Sequence, residues 1–317
     1  MLSENLTRIR DFRTDDYPAV VAIGNVVWPD MQVTPHDLAA RDRRLAGRVS
    51  RRQVAEVGGQ VVGFSLVEND WHDPDPRHFR VNGAVVPAWQ GRGVGAALWA
   101  DVERWLAERA TGVVAEVREH HPAGRHLLES RGFRPAMRWA VSRLVVDRFN
   151  AARFAHRVAQ VEASGVRIES FAELRQRDPA AIERLHALRW TIDAELPGLV
   201  PRVPESIEAF AAYFERNPSA LPEGWLVAHA EGRYLGLSSH WASRADLTCL
   251  HTGFTGVLPD VRRRGIATAL KVAGVALARR RGCQFIDTDN EADGAMHRLN
   301  LGLGFEPESA WLVYRRG

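Results

Sequence analysis

Apolar residues recur at Val94, Leu98, Val102 and Leu106, a spacing of four that draws one stripe along a helix over 94–110 and needs a flat partner to cover it. The stripe returns far downstream, where Ile266, Leu270 and Leu277 fall on or near one face of a helix expected over 266–280. Ahead of the first stripe the chain reads in short extended runs. Residues 6–12 have strand character, 52–57 and 60–68 form a hairpin turning at Gly58-Gly59, and 78–86 is a further strand. Helices over 17–27 and 35–45 separate the first strand from the hairpin. Behind the stripe, the apolar run 113–117 reads as a central strand, a short helix precedes Gly132, and strand material continues to Val146.

The second half repeats this order. A strand near 166–170 is followed by helices around 179–193 and 204–216, a hairpin over 225–241 turning at Glu231-Gly232, a strand over 248–257, the helix 266–280, a central strand over 284–288, a helix over 292–301 and a last strand over 310–314. Sequence markers recur in the same order. Val85-x-Pro87-x-x-Gln90 matches Val257-x-Pro259-x-x-Arg262 at an offset of 172 residues, Gly132-Phe133 matches Gly304-Phe305 at that same offset, and Gly63-Phe64-Ser65 matches Gly236-Leu237-Ser238 one residue out of step. The chain is therefore read as a tandem duplication, with α/β domains over 1–146 and 165–317. The connector, 147–164, lacks Gly/Ser or Pro tracts and reads as a helix.

Both halves set a glycine turn between a strand and a striped helix: WQGRGVGAAL from Trp89 and VRRRGIATAL from Val261. A helix N-terminus carries unpaired N–H groups and about half a positive charge, and glycine brings those donors close to an oxygen. The pattern predicts two pyrophosphate cradles. One comprises Val85, Gln90, Gly91, Arg92, Gly93, Val94 and Gly95, the other Val257, Arg262, Arg263, Arg264, Gly265, Ile266 and Ala267. Neither has the Lys-Ser/Thr ending of a triphosphate loop or the spacing of a dinucleotide fingerprint.

Composition narrows the function classes. The 42 Lys plus Arg against 39 Asp plus Glu leave a net charge of +3 with no basic stripe, which argues against a nucleic-acid partner. Lys271 is the only lysine. The start of the chain has no apolar core of signal-peptide length and no window approaches eighteen apolar residues, so a cytoplasmic protein without a membrane partner is expected. Cys249 and Cys283 cannot define a disulfide framework and are expected as reduced, buried thiols. His36, His72, His120, His121, His156 and His297 show no metal-ligand spacing, and no metal is expected. Trp28, Trp71, Trp190 and Trp241 are scattered as core tryptophans are.

Val257-x-Pro259-x-x-Arg262-x-x-Gly265-x-Ala267 resembles the acetyl-coenzyme A signature of the GCN5-related N-acetyltransferases (GNAT), and Gln90-x-x-Gly93-x-Gly95 resembles a second copy. The likeness spans most of the chain, in a tandem layout like that of mycothiol synthase. It implies two GNAT-like domains, each a mixed twisted sheet flanked by helices whose fourth strand diverges from the fifth. It further implies acetyl-CoA as donor and direct transfer of acetyl from the thioester to an amine. In place of the tyrosine with which many members protonate the leaving thiolate, this chain has Leu128 and Asn300, of which only Asn300 can orient or polarise.

The second domain has more polar candidates and is expected to be the catalytic one, the first binding coenzyme or serving structure. His251 alternates in even step with Gly253, Thr255 and Val257 and is the first candidate base; His240, at the end of the hairpin, is the second. Asp287 and Asp289 share a strand face, with Asn290 after them, and Asp289 is a candidate to position a water. In the first domain Glu116 is the best acid–base candidate, at a position the offset matches to Thr288. The acceptor is expected to be a small-molecule amine entering between 193–201, His240-Trp241 and Asp289-Asn290, in a monomer or homodimer. The competing readings are a decayed tandem CoA-binding or interaction module and a protein or peptide N-acetyltransferase.

Overall fold

A computed structural model describes residues 6–70, 73–195, 204–217, 220–242 and 245–317. Trp71, His72 and the 196–201 part of the expected acceptor boundary lie outside the described residues. The first repeat runs β1 (Arg8–Asp11), α1 (Tyr17–Val27), α2 (Pro35–Arg44), β2 (Ser50–Val57), β3 (Gln60–Asn69), β4 (His78–Val85), α3 (Val94–Leu106), β5 (Gly112–Arg118), α4 (Pro122–Glu129) and β6 (Arg134–Val145). α2 begins where Thr34 accepts from the Asp37 N–H at 3.2 Å and the Asp37 carboxylate accepts from the Thr34 N–H at 3.0 Å, with Pro35 in the first turn. Gly58 and Gly59, at φ 56° and 81°, supply the left-handed pair that the two-residue β2–β3 turn requires.

The second repeat begins with α5 (Ala155–Ala163), β7 (Arg167–Ser170), α6 (Phe171–Arg177), α7 (Ala181–Asp193) and α8 (Ile207–Arg216). It continues with β8 (Trp225–Ala230), β9 (Arg233–Ala242), β10 (Cys249–Val257), α9 (Ile266–Arg280), β11 (Phe285–Glu291), α10 (Ala295–Leu303), β12 (Glu306–Pro307) and β13 (Trp311–Arg316). The helix expected over 147–164 is α-helical only from Ala155, after two short 3₁₀ turns. α6, which hydrophobic periodicity did not show, is nucleated by a capping box in which Ser170 and Glu173 exchange bonds.

The chain folds as two compact units, 1–138 with 310–317 and 139–309. That division differs from the expected one at 146 and 165. The closing strands are exchanged: β13, last in the chain, pairs antiparallel with β5 of the first unit from Trp311↔Arg118 to Arg316↔Val113, while β6, last in the first repeat, pairs with β11 of the second from Trp139↔Glu291 to Val145↔Phe285. Sequence repeats mark similar elements, but a β-strand belongs to the sheet that satisfies its backbone hydrogen bonds. The first sheet is ordered β1-β2-β3-β4-β5-β13 and the second β6-β11-β10-β9-β8-β7, with β12 against β6.

In the first unit the α3 stripe, with Trp99, Val102 and Leu106, covers one sheet face together with Leu128 of α4 and Tyr314 of β13. α1 covers the other face with Val20 and Ile23 against Val54, Phe64 and Ala84. Tyr314 is 1 % exposed, and its hydroxyl donates to Glu129 at 2.7 Å. Tyr314→Ala should therefore destabilise the first unit by about 3–5 kcal/mol, the usual cost of truncating a large buried ring. Hydrogen exchange should show the loss first in β5 and α3; unchanged protection there would mean that β13 does not complete this sheet.

Candidate active site

β4 and β5 are parallel and stay paired only from His78↔Gly112 to Val81↔Ala115. Beyond that point β4 continues to pair with β3 as far as Val85↔Gly63, so from Asn82 onward its β5-side N–H and C=O groups face a wedge instead of a strand. A cleft of about 420 Å³ opens there, floored by Val81 and Ala115 and walled by Trp99, Leu128, Glu116 and Asn82 among others. Its mouth reaches Gln90, Gly91, Gly93 and Gly95, the expected cradle.

That cradle is open. Gly91 and Gly93 have φ of 71° and 83°, and a Cβ built on either would meet nothing within 4 Å. Gly93 is the N-cap of α3 and no side chain caps its first turn, so those N–H groups are available to an anion. Gln90, expected to touch the coenzyme, uses its side chain differently: Nε2 donates to the Val85 carbonyl at 2.8 Å and ties the loop to the end of β4. The Arg92 guanidinium lies 5.0 Å over the Trp89 ring, beside the opening.

The wall on the α1 side of the sheet is charged. Glu116, on the face of β5 opposite Ala115, pairs with Arg80 of β4 at 2.5 Å, and Arg80 also reaches Asp70 at 3.3 Å. Arg118, buried in the same wall, pairs with Asp30 and lies 4.2 Å over the Trp311 ring. His121 lines the cleft, but its Nε2 is sealed from solvent without a partner, and burial holds its pKa below the usual histidine value. Glu116 keeps about a third of its side chain exposed and lines the cleft, as does His126 of α4. Trp28, one of the scattered tryptophans, lines the cleft from the end of α1, and Asn82 and Arg80 belong to this wall without having been singled out as site residues; strand register brings those two beside Glu116.

The second unit has the same topology with other contents. β10 and β11 part after Thr252↔Thr288, and β10 carries a bulge between Thr252 and Phe254. The extra residue turns the strand over, so His251 and Trp241 share one face while Thr255 and Val257 lie on the other, against the expectation of a common face. Gly265 caps α9 at φ 88° as Gly93 caps α3, and its turn is uncapped by side chains. Yet a Cβ on Gly265 would stand 2.9 Å from Arg157 Cγ and 3.3 Å from Val161 Cγ2: helix α5 lies over this cradle. Arg262 ties back to the Val257 carbonyl at 3.0 Å and to Glu195 at 2.5 Å, Arg264 bonds the Asp260 carbonyl, and Arg263 takes the left-handed conformation that Gly91 supplies in the first copy. In this copy α5 packs beside the cradle glycine, where the first copy has nothing within 4 Å of a Cβ on Gly93.

Nor do the expected bases of this unit face an open site. His251 is buried, stacked on Trp241 at 4.1 Å, and burial lowers its pKa. His240 is 1 % exposed, bonds the Gly224 carbonyl at 2.8 Å, and burial pushes its pKa down to about 4. Asn300 is fully buried, its amide donating to Asn290 at 2.5 Å. Cys249, His251 and Asp287 lie within 4.8 Å of one another, a grouping sequence spacing did not reveal. Both Asp287 oxygens are taken by Arg143 at 2.7 Å, and burial raises the Cys249 pKa, which keeps a thiol rather than a metal-binding thiolate. Both cysteines are free and buried, as expected. Asp289 is exposed on the same strand face as Asp287.

Residues 6–133 and 183–305 match the Acetyltransferase (GNAT) family. The chain belongs to that family. Acetyl-CoA is the family's usual donor. A curated relative, mycothiol acetyltransferase of Thermobispora bispora, is 28% identical over 267 residues, covering 82% of this chain and 81% of the relative. A GCN5-related N-acetyltransferase from Sphaerobacter thermophilus superposes with a TM-score of 0.70 at 20% identity, over 100% of this chain and 96% of that one. A tandem GNAT protein from the clavulanic acid biosynthesis pathway does so with a TM-score of 0.71 at 18% identity, over 98% of each chain. These structures establish the tandem GNAT fold. Among the described residues, no helix is long and apolar enough to cross a membrane.

With two GNAT sheets in one chain, ladder register gives the equivalences that a fixed offset misses. Val81↔Ala115 and Thr252↔Thr288 are the last pairs before each wedge, so Ala115 corresponds to Thr288 and Glu116 to Asp289, not to Thr288. The stretch from the cradle glycine to β11 is one residue longer than its counterpart, which shifts the offset locally. Read this way, the two wedge floors differ in kind. In the first unit Val67, Val81, Ala115 and Tyr314 cross the sheet beneath Trp99 and Leu128, all in one apolar cluster. In the second the same positions are His240, Thr252, Thr288 and Ser142, with Lys271 and Asn300 on the covering helices.

All six replacements are buried, and Ser142 Oγ, Thr252 Oγ1, Lys271 Nζ and Asn300 Oδ1 have no hydrogen-bond partner. Each such atom costs about 1–3 kcal/mol. Burial lowers the Lys271 pKa to about 7. Because the unfolded chain keeps the proton up to about pH 10.4, it binds more protons than the folded chain above pH 7, and stability rises with pH across that window at up to about 1.4 kcal/mol per unit. Urea titrations of the wild type minus Lys271→Met should show this rise between pH 7 and 10. A flat difference would place the ammonium in water.

Proposed function

We propose that the protein is an acetyl-CoA-dependent N-acetyltransferase for a small-molecule amine and that its first unit, contrary to the expectation from sequence, is the coenzyme-binding and catalytic one. The observation that carries this reading is the unobstructed cradle at Gly91 and Gly93, joined to a cleft along the unpaired edge of β4. The pyrophosphate meets the N–H groups at the start of α3. The pantetheine amides add to the free β4 edge from Asn82 to Val85 as a further strand would, and bring the thioester to the floor at Val81 and Ala115.

The amine enters along the α1-side wall, where the Glu116 carboxylate attracts the ammonium and takes one proton, so that the freed nitrogen lone pair attacks the carbonyl carbon; the second nitrogen proton passes to water once the C–N bond has formed. An unpaired β4 N–H aimed at the carbonyl oxygen stabilises the oxyanion. The carbon–sulfur bond then breaks. Leu128 has no proton to give, so the leaving thiolate takes one from water. The relative named mycothiol acetyltransferase favours a small molecule over a protein lysine as acceptor.

Gly93→Glu sets a bulky carboxylate where phosphate would lie and should weaken acetyl-CoA binding by at least about tenfold, or 1.4 kcal/mol, measured by calorimetry at fixed salt on protein checked for folding. Arg264→Glu, at the exposed rim of the second cradle, should leave that affinity unchanged. The reverse pattern would return the coenzyme to the second unit. Glu116→Gln should keep coenzyme affinity and reduce kcat/KM for the amine by about 10²-fold; an undiminished rate would remove Glu116 from the mechanism.

A further inference from the structure

The polar floor of the second wedge takes no part in the chemistry assigned to the first unit. It is nonetheless built at a cost that an apolar floor, present in the other copy, avoids. Lys271 is the single lysine of the chain, 3 % exposed, with Nζ unpartnered and 5.6 Å from the Phe305 ring. Ser142 Oγ and Thr252 Oγ1, on strands that flank Thr288, are sealed from solvent and unpartnered as well. Asn300 spends its amide N–H on Asn290 and keeps Oδ1 without a donor.

We propose that this floor is a binding site for a short monocarboxylate, a 2-hydroxy acid fitting best, with Lys271 Nζ and the Thr252 and Ser142 hydroxyls donating to the carboxylate and Asn300 Oδ1 accepting from the ligand hydroxyl. The donor set selects the ligand class. One buried ammonium balances one negative charge, so a phosphate dianion would leave a charge unpaired in a dry site. A halide could accept from the ammonium and both hydroxyls but has no donor to offer Asn300 Oδ1. The ligand's short alkyl part meets Phe305.

Two other titratable groups bear on Lys271. His240 of β9 carries no charge near neutrality, its pKa being about 4, and Asp289 of β11 favours the ammonium through space. A bound carboxylate adds to the attraction of Asp289, so ligand uptake draws a proton onto Lys271. The inference stands apart from the reading of the first unit, since it concerns other residues and uses no coenzyme.

A sole lysine is its own reporter. Protein labelled with ¹³C and ¹⁵N at lysine gives one side-chain NMR signal, which can be followed against glycolate, lactate, acetate, chloride and phosphate at constant ionic strength. Glycolate or lactate should shift that signal saturably and raise the lysine pKa from about 7. Acetate should do so about tenfold more weakly, as expected for one hydrogen bond lost. Thr252→Val and Ser142→Ala keep the reporter, and each should weaken binding by about tenfold. A signal unmoved by all three carboxylates at about 50 mM, weaker than any useful site, would overturn the proposal. So would equal shifts with chloride or phosphate, or a crystal structure from glycolate holding only waters on this floor.

Discussion

Two parallel strands that hydrogen-bond for four residues and then part are the constraint on which the first unit's cleft depends. From Asn82 onward the free side of β4 has donors and acceptors that no strand satisfies, and the cleft exists because α3 and α4 stay packed over the divergence rather than closing it. Burying such an edge without a partner would cost several kcal/mol. Leaving it open toward a cradle of helix N–H groups makes it a track for a molecule that combines phosphates with amides. The glycines at 91 and 93 serve that geometry by allowing left-handed backbone where the loop enters α3.

Duplication kept the backbone of this arrangement and divided its contents. The second copy has the same left-handed glycine cap, the same divergence and the same loop tether, Arg262 to the Val257 carbonyl standing where Gln90 bonds that of Val85. What changed are the side chains that meet an occupant. Val161 and the stem of Arg157 cover the cradle glycine, and the floor exchanges an apolar cluster for a set of buried polar groups. The first change narrows the space beside the helix N-terminus, and the second leaves buried hydroxyl, ammonium and amide groups where the first unit has apolar side chains.

The fold class was legible because period-four and period-two patterns report which faces are buried, and the duplication because glycine turns constrain backbone regardless of context. The cradle was legible for the same reason. Catalytic groups were harder. Polar residues on β10 and β11 made the second half look richer, yet polarity in a sequence does not say whether a side chain faces a cleft or lies beneath a helix. His240 lies beneath one, Asn300 is buried on the inner side of another, and His251 is stacked away on Trp241. Glu116 was found by alternation alone, but its true counterpart was hidden by a one-residue difference in loop length.

By itself the sequence determined most of the elements, their order, the tandem repeat and the family, since these rest on local backbone geometry and on periodic burial, whereas α6 and the true start of α5 left no such mark. Tertiary structure decided which sheet each closing strand completes, which cradle is open, and which side chains share a face after the β10 bulge. Those outcomes turn on contacts between residues far apart in the chain. Strand pairing is settled by competition among backbone partners and cradle access by the packing of a separate helix, and neither leaves a periodic mark on the residues that form the site.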